Sequence, residues 1–371
     1  MALSYWEHKT WLSRIGFTVV GSGIVGLNCA LALKQAHPKA KVVVLERGVL
    51  PNGASTKNAG FACFGSVSEL LNDLEHHTEA QVVQLVKTRA EGILALRELL
   101  GDTALDYHQW GGHDLFLKAD TERFEHCLGQ LQYLNTLLAP IFGKKTFVQT
   151  KNIFGLEGVQ DHLITQVHEG QLNTGKMMHA LLHKVQQLGI VVLNGVTVTG
   201  FEANPGHVTV ATDHFEYRTQ QLYLATNGFA KQLIKTDVQP ARAQALITKP
   251  LPLPPPRGTF HLDQGYYYFR NVDGRVLLGG GRNLDFATET TFEQGETALV
   301  RKELERLLKE VILPGVPFEV DRYWSGIMGV GHQKKPMVEA LHPNVACGVG
   351  LGGMGVAMGT AVGRSLAAAL D

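Results

Sequence analysis

The sequence predicts an α/β fold (α+β overall) with two domains, the second of which is built on an antiparallel sheet. Three observations support this fold class. A glycine-rich segment near the N terminus has the pattern of a strand, a tight turn, a helix and a second strand. From Val238 onward the chain alternates like antiparallel strands, interrupted by a proline loop at residues 250–256. The chain has 371 residues, which is long for one hydrophobic core.

The N-terminal pattern lies in FTVVGSGIVGLNCALALKQAHPKAKVVVLERG, residues 17–48. Gly21 would allow a tight turn out of the first strand, Gly23 a close backbone approach to a pyrophosphate, and Gly26 close helix–strand packing. Glu46 ends the second strand, where a carboxylate can accept hydrogen bonds from a ribose diol. The helix start offers unpaired N–H groups to phosphates. We therefore predict a Rossmann-like unit that binds a dinucleotide.

Composition excludes several classes of protein. The 34 basic and 34 acidic side chains balance, so there is no electrostatic footprint for nucleic acid or an anionic membrane surface. No apolar run approaches the ~20 residues of a membrane span, and the first residues lack the apolar core of a signal peptide. Four cysteines are scattered without metal-ligand spacing, so we expect neither a metal site nor disulfides. A cytoplasmic protein is the resulting expectation.

The segments between these landmarks alternate between helical and extended patterns. Thr78 and Gln81 form a capping box that predicts a helix to about residue 100. Further helices are predicted at 121–138, 175–188 and 292–310, a polar loop at 52–66, and extended segments at 105–118 and 190–193.

The C-terminal part contains a second strand–glycine turn–helix pattern. A strand-like run at 345–349 passes through Gly350, Gly352, Gly353 and Gly355 into an alanine-rich helix. Tight packing of a helix on a sheet would also favour such residues. Beside the N-terminal fingerprint, this second turn indicates that both ends of the chain converge on one long cofactor.

Four motifs carry a family resemblance: VVGSGIVGLNCALAL, VLERGVLPNGASTKNAGF, LYLATNG and GVGLGGMGVAMGTAVGRSLA. In this order they resemble the D-amino acid oxidase-like superfamily of FAD-dependent oxidoreductases, which includes glycine oxidase and sarcosine oxidase. The resemblance implies an FAD-binding domain from residues 1–85, 170–236 and 325–371. It also implies a substrate domain from 86–169 and 237–324, with an antiparallel sheet over the flavin.

The resemblance also implies which residues contact FAD. These are Gly21, Gly23, Gly26, Glu46, Arg47, Ser55, Thr56, Asn58, Ala59, Val196, Ala225, Thr226, Gly228, Gly352, Gly353, Met354, Gly355 and Val356. The family usually has arginine where Lys57 stands. Relatives that tether the flavin do so through a cysteine just after the equivalent of Trp324, but no cysteine lies at 325–336, and Cys347 is expected to be buried. We therefore expect non-covalent FAD.

Two arginines that grip a substrate carboxylate in amino acid oxidases of this superfamily are missing. Met328 and Gly353 stand at their positions. Because a buried carboxylate needs a cationic partner, either the usual carboxylate clamp is not used or another cation replaces it. The sequence leaves Arg270, Arg282, Lys334 and Lys335 open for that role.

The substrate-binding residues implied are Tyr266, Tyr268, Arg270, Met328 and His332. Strand alternation puts Tyr266, Tyr268 and Arg270 on one face. The tyrosines would equally suit a half-exposed sheet, and His332 would equally suit an ordinary loop.

The expected function is oxidation of the C–N bond of an amine or amino acid by FAD, giving an imine that hydrolyses. Hydride transfer from a neutral amine needs no strong base, so no catalytic residue is assigned. The electron acceptor would be O₂ or a quinone. Oxidation of a 2-hydroxy acid, and a flavin-bearing assembly protein with little turnover, are the alternatives.

Overall fold

The computed structural model describes residues 3–143, 145–331 and 334–370, and contains two large sheets. Its strands are β1 (Ile15–Val20), β2 (Lys41–Glu46), β3 (Phe61–Ala62), β4 (Gly112–Leu115), β5 (Phe147–Lys151), β6 (His162–Gln166), β7 (Gly170–Gln171), β8 (Val191–Asn194), β9 (Val198–Asn204), β10 (His207–Thr212), β11 (Glu216–Leu224), β12 (Gln239–Thr248), β13 (Thr259–Leu262), β14 (Tyr267–Val272), β15 (Arg275–Gly280), β16 (Val320–Val330), β17 (Met337–His342) and β18 (Val345–Val349).

Its α-helices are α1 (Tyr5–Glu7), α2 (Ile24–Ala36), α3 (Val67–His76), α4 (Glu79–Leu100), α5 (Asp102–Leu105), α6 (Thr121–Gly129), α7 (Leu131–Phe142), α8 (Thr174–Gln187), α9 (Ala298–Leu307) and α10 (Gly355–Ala367). None of the helices in the described ranges is long and apolar enough to cross a membrane.

The first sheet brings the two ends of the chain together. Its strand order is β17-β18-β11-β1-β2-β8, with the β9–β10 hairpin attached to β11. β1 runs parallel to both β2 and β11, and β11 runs parallel to β18. Only β11 therefore separates the first strand–turn–helix unit from the last.

The helices α2 and α10 approach each other closely at two glycines of α10, where there is no room for a side chain. A β-carbon at Gly359 would lie 2.5 Å from Ile24 Cγ2, and one at Gly363 would lie 2.6 Å from the Val25 carbonyl oxygen. Such contacts require glycine because any larger residue would push the helices apart. The predicted convergence of the two glycine-rich units is confirmed.

The second sheet has the order β16-β12-β15-β14-β13-β4-β6-β5 and is antiparallel apart from the β13–β4 pair. One face packs on α9 through an apolar cluster that includes Phe260, Phe269 and Leu304. The other face turns toward the first domain. The predicted α/β class with a second, antiparallel sheet is confirmed.

The capping box of Thr78 and Gln81 begins α4 as predicted. Four other predicted elements differ from the structure. The loop predicted at 52–66 contains β3. The helix predicted at 121–138 is two helices, α6 and α7, joined at Gln130. The helix predicted at 292–310 begins only at Ala298, because Gly295 has a positive φ of +132° just before it. The extended segment at 105–118 is a strand only at β4.

The predicted domain boundaries cut two elements. The boundary at 85/86 falls within α4, which shares one apolar core with α2 and α10. The boundary at 324/325 falls within β16, whose full length pairs with β12. The segment assignment stays a prediction.

Candidate cofactor and substrate site

A cavity of about 610 Å³ lies between the two sheets. At one end it is lined by Glu46 and Val196, and at the other by His261 and Tyr268. Fifteen of the predicted FAD contacts line it: Gly21, Gly23, Glu46, Arg47, Ser55, Asn58, Ala59, Val196, Ala225, Thr226, Gly352, Gly353, Met354, Gly355 and Val356. Both glycine-rich turns therefore line the same cavity.

The β1–α2 turn is closed to side chains. Gly21 has φ +104°, and a β-carbon there would lie 2.9 Å from the Ala225 carbonyl oxygen. A β-carbon at Gly26 would lie only 1.8 Å from the Gly21 carbonyl oxygen. Gly23 is the N-cap of α2, and the Ser55 hydroxyl accepts the Ile24 N–H at 2.9 Å. The N terminus of α2 thus opens into the cavity, as a pyrophosphate requires.

Glu46 is buried and links the end of β2 to the β1–α2 turn. Its Oε2 accepts hydrogen bonds from the Ser22 N–H at 3.1 Å and the Ser22 hydroxyl at 2.7 Å. Its Oε1 accepts the Gly48 N–H at 2.9 Å. Next to it the Arg47 guanidinium stacks 3.6 Å above the Phe229 ring. Both side chains line the cavity where the resemblance expects the adenosine.

Asn227 ties the second glycine turn to the rest of the cavity and was not among the predicted site residues. Its side-chain oxygen accepts the Gly350 N–H at 3.0 Å and the Leu351 N–H at 3.3 Å. The Gly352 N–H reaches across to the Gly329 carbonyl oxygen at 2.8 Å. Its place in LYLATNG, beside two predicted contacts, was the signal that could have found it.

Three of the predicted FAD contacts do not line the cavity but shape the backbone next to it. Gly26 permits the helix–strand packing described above. The Thr56 hydroxyl donates to the Pro51 carbonyl at 2.6 Å. A β-carbon at Gly228 would lie 2.5 Å from the Met328 carbonyl oxygen, so this glycine lets the chain pass close to β16.

The cavity therefore fits a dinucleotide. Its lining includes the buried Glu46 carboxylate with Val196, the helix N terminus at Gly23, and the second glycine turn. The family model described as DAO, FAD-dependent oxidoreductase, matches residues 17–369. The chain belongs to the DAO family of FAD-dependent oxidoreductases. It is accordingly an FAD-dependent enzyme.

Several proteins resemble this DAO-family chain. Over 303 residues it is 26% identical to the bifunctional protein ThiO/ThiG of Synechocystis sp., a match that covers 76% of this chain and 41% of that longer protein. It is 25% identical to the D-amino acid dehydrogenase of Helicobacter pylori, over 94% of this chain and 93% of the relative. Glycine oxidase from Geobacillus kaustophilus has the same fold, with a TM-score of 0.78, 17% identity and coverage of 96% and 94% of the two chains.

The far end of the cavity has aromatic walls. Tyr268 lines it, and its ring lies over the paired Gly279, where a β-carbon would be only 2.6 Å from the ring. Phe61 meets Tyr268 edge to face, with ring centroids 5.6 Å apart. Tyr266, just before β14, lines the cavity and is 38% exposed. The alternation predicted for this strand is confirmed, since Tyr267 and Phe269 lie in the apolar cluster on the other face.

Arg270 does not line the cavity, although its face was predicted correctly. It is buried, and its guanidinium donates to the carbonyl oxygens of Ala59 and of Leu172, the latter at 2.9 Å. It therefore anchors the loop after Ala59, and a substrate-binding role is not supported by its contacts. Strand alternation fixes the face of a side chain but not whether another segment covers it.

The two positions that lack the family's arginines lie next to each other. Met328 lines the cavity, and a β-carbon at Gly353 would lie 3.9 Å from its sulfur. This part of the wall is apolar. His332, the remaining predicted substrate residue, lies outside the described residues.

A buried His261–Glu169 pair closes the far end. Glu169 is completely buried, and its Oε1 lies 2.6 Å from His261 Nε2 and accepts the Thr259 hydroxyl at 2.7 Å. Burial alone would lower the pKa of His261, but the Glu169 carboxylate outweighs burial and raises it to about 9. His261 is therefore an imidazolium at neutral pH. No residue of this pair was predicted.

We expect this pair to make stability depend on pH. The folded-state pKa of His261 exceeds the ordinary value near 6.5, so its stabilisation is complete below about pH 6.5 and is lost as pH rises through about 9. The loss is on the order of 3 kcal/mol. Urea denaturation at pH 6 and at pH 9.5 measures it. His261→Gln should flatten the profile; equal slopes in the two proteins would contradict the assignment.

Proposed function

We propose that the protein oxidises the C–N bond of a small amine or amino acid, giving an imine that water hydrolyses to a carbonyl compound. One observation carries the proposal: the aromatic end of the cavity adjoins the glycine turn that begins α10. Bound FAD would supply the hydride acceptor. The names of the D-amino acid dehydrogenase and the glycine oxidase that this chain resembles support the substrate class.

The residues of this chain would bind and orient the substrate. Phe61 and Tyr268 form an apolar wall that excludes water from the reacting carbon, and Gly279 leaves room for the tyrosine ring. Glu69 lines the same end, and its Oε2 accepts the Ser66 N–H at 2.9 Å. A substrate amine that enters unprotonated needs no general base, so no catalytic residue is proposed.

Non-covalent FAD is part of the proposal. Cys347 is buried in β18, as expected. Cys63 lines the cavity, with its sulfur 3.6 Å from that of Met354. Burial raises the pKa of the Cys63 thiol well above its ordinary value, so it stays protonated and is a poor nucleophile.

The four unpaired cysteines also support a cytoplasmic location. O₂ or a quinone is the proposed acceptor.

Anaerobic mixing of the FAD-loaded protein with substrate panels tests the proposal. We expect glycine, sarcosine, proline or another amine to remove the visible absorbance of the flavin, and the product to be a carbonyl compound. Acid precipitation should release FAD into the supernatant. Reduction by 2-hydroxy acids alone would instead favour the hydroxy-acid dehydrogenase. Reduction by neither panel, with a stable protein partner, would favour an assembly protein.

A further inference from the structure

We infer that Arg282 binds a carboxylate of the substrate, from the turn after β15 and not from β16 or the α10 turn. This inference rests on the proposed function, because it names the acid group of the amine that is oxidised. It follows from the bonding state of the arginine and lysine side chains around the aromatic end of the cavity, since the His261 imidazolium there is already paired with Glu169.

Three of the four cations left open by the sequence are otherwise placed. Arg270 is held by two backbone carbonyls and does not line the cavity. Lys334 lines the cavity but forms an ion pair with the buried Asp73 carboxylate. Lys335 is exposed and is not part of the lining. Arg282 is the fourth.

Three further arginine or lysine side chains line the cavity. Arg47 is stacked on Phe229 beside Glu46, at the opposite end. Lys57 follows Ser55, whose hydroxyl caps α2, so it belongs to the phosphate region. Arg89 is only 3% exposed and donates to the Phe64 carbonyl oxygen at 2.8 Å, but its Nε, like that of Arg282, is buried without a hydrogen-bond partner. Arg89 is therefore the strongest competitor of Arg282, and its replacement tests the inference as well.

Arg282 is half-buried and has unused hydrogen-bond donors. Its Nε is buried without a hydrogen-bond partner, and within the described ranges its guanidinium makes no ion pair. The carboxylate that acts on it electrostatically, Glu289, already accepts hydrogen bonds from Arg242 at 2.8 Å and from Gln244 at 2.8 Å. A guanidinium without an acidic partner, facing a cavity, suits a carboxylate that it can bind through two N–H groups.

Two aromatic rings fix the position of this guanidinium. It lies 4.8 Å from the centre of the Phe286 ring, and Phe286 meets Tyr266 edge to face with centroids 5.9 Å apart. Both rings are partly exposed, 45% and 38%. Arg282 therefore stands at the opening of the cavity, so the carboxylate would remain near solvent while the rest of the substrate extends inward.

A matched pair of neutral and anionic probes tests the inference without turnover. Benzoate and benzamide have nearly the same shape, and each is titrated into the FAD-loaded protein while the visible flavin spectrum is followed. We expect benzoate to bind at least about tenfold more tightly than benzamide, as a charge-assisted bidentate pair should. Arg282→Met should remove this preference and leave benzamide affinity unchanged, and Arg282→Lys should restore part of it.

Arg301→Met is the matched control. Arg301 also stacks on an aromatic ring, 4.3 Å from the centre of Tyr323, but it is exposed and paired with Glu305. The Arg301→Met protein should bind benzoate as tightly as the wild type does. Unchanged FAD content and melting temperature in Arg282→Met exclude misfolding.

Several outcomes would overturn the inference: wild-type protein without a preference for benzoate, Arg282→Met with full preference, or loss of the preference in Arg89→Met or Lys334→Met instead. The readout is independent of the proposed function, since benzoate is not oxidised. Reduction of the flavin by amines together with a failed benzoate test would leave the proposed function standing and reject Arg282 alone.

Discussion

Replacement of Gly26 by alanine should abolish stable FAD binding. The added β-carbon would lie 1.8 Å from the carbonyl oxygen of Gly21 and 3.0 Å from its carbonyl carbon, and neither backbone atom can rotate away. α2 would have to move off β1, which shifts the helix N terminus that the phosphates need. With overpacking costs of about 1–3 kcal/mol or more, FAD affinity should fall at least about tenfold. The FAD-to-protein ratio after gel filtration measures the loss.

Gly129→Ala provides the control. Gly129 ends α6, and a β-carbon there would meet no atom within 4 Å. Alanine suits a helix better than glycine, so stability should be unchanged or slightly higher. A Gly26→Ala protein that keeps a full complement of FAD would show that the close approach of α2 and β1 is not needed.

Arg242→Met should destabilise the protein by about 3–5 kcal/mol, because removal of one partner leaves the other charge buried and unpaired. Arg242 Nε lies 2.8 Å from the Glu289 carboxylate, and their side chains are only 9% and 1% exposed. The pair joins β12 to the segment before α9, which also carries the proposed carboxylate-binding residue. Urea denaturation of the FAD-loaded protein measures the change in the free energy of unfolding.

Two comparisons separate this effect from a general loss of charge. Arg242→Met combined with Glu289→Met should recover part of the stability, because no isolated charge remains buried. Arg301→Met removes an exposed pair and should cost less than about 1 kcal/mol. If Arg242→Met and Arg301→Met lowered the free energy of unfolding equally, the buried pair would contribute no more to stability than the exposed one.

The nucleotide end of the cavity was predictable because its rules are local. One strand–turn–helix–strand unit contains Gly21, Gly23, Gly26 and Glu46, and each has a requirement that depends on its immediate neighbours. The second glycine turn, at Gly352–Gly355, follows the same rules. The resemblance to a family then added the loop around Ser55 and the turn at Ala225.

The substrate end was harder to predict because its contacts join distant segments. His261 is 92 positions from Glu169, and nothing near either residue indicates the other. Arg270 lies on the face that strand alternation predicted, yet a segment 211 positions away covers it. The alternation of side chains along a strand predicts which face of the sheet each one occupies. Which other segment packs over that face depends on the tertiary fold.

The glycine contacts of α10 with α2 have a consequence for biosynthesis. The outer side of α2, whose N terminus lines the cavity, is covered only when residues 355–367 are in place. The ribosome must therefore translate the whole stretch from α2 to α10 before the β1–α2 unit can dock against α10. During that interval the apolar strands β1 and β2 lack this packing partner, and we expect capture of the vitamin-derived prosthetic group to follow the synthesis of α10.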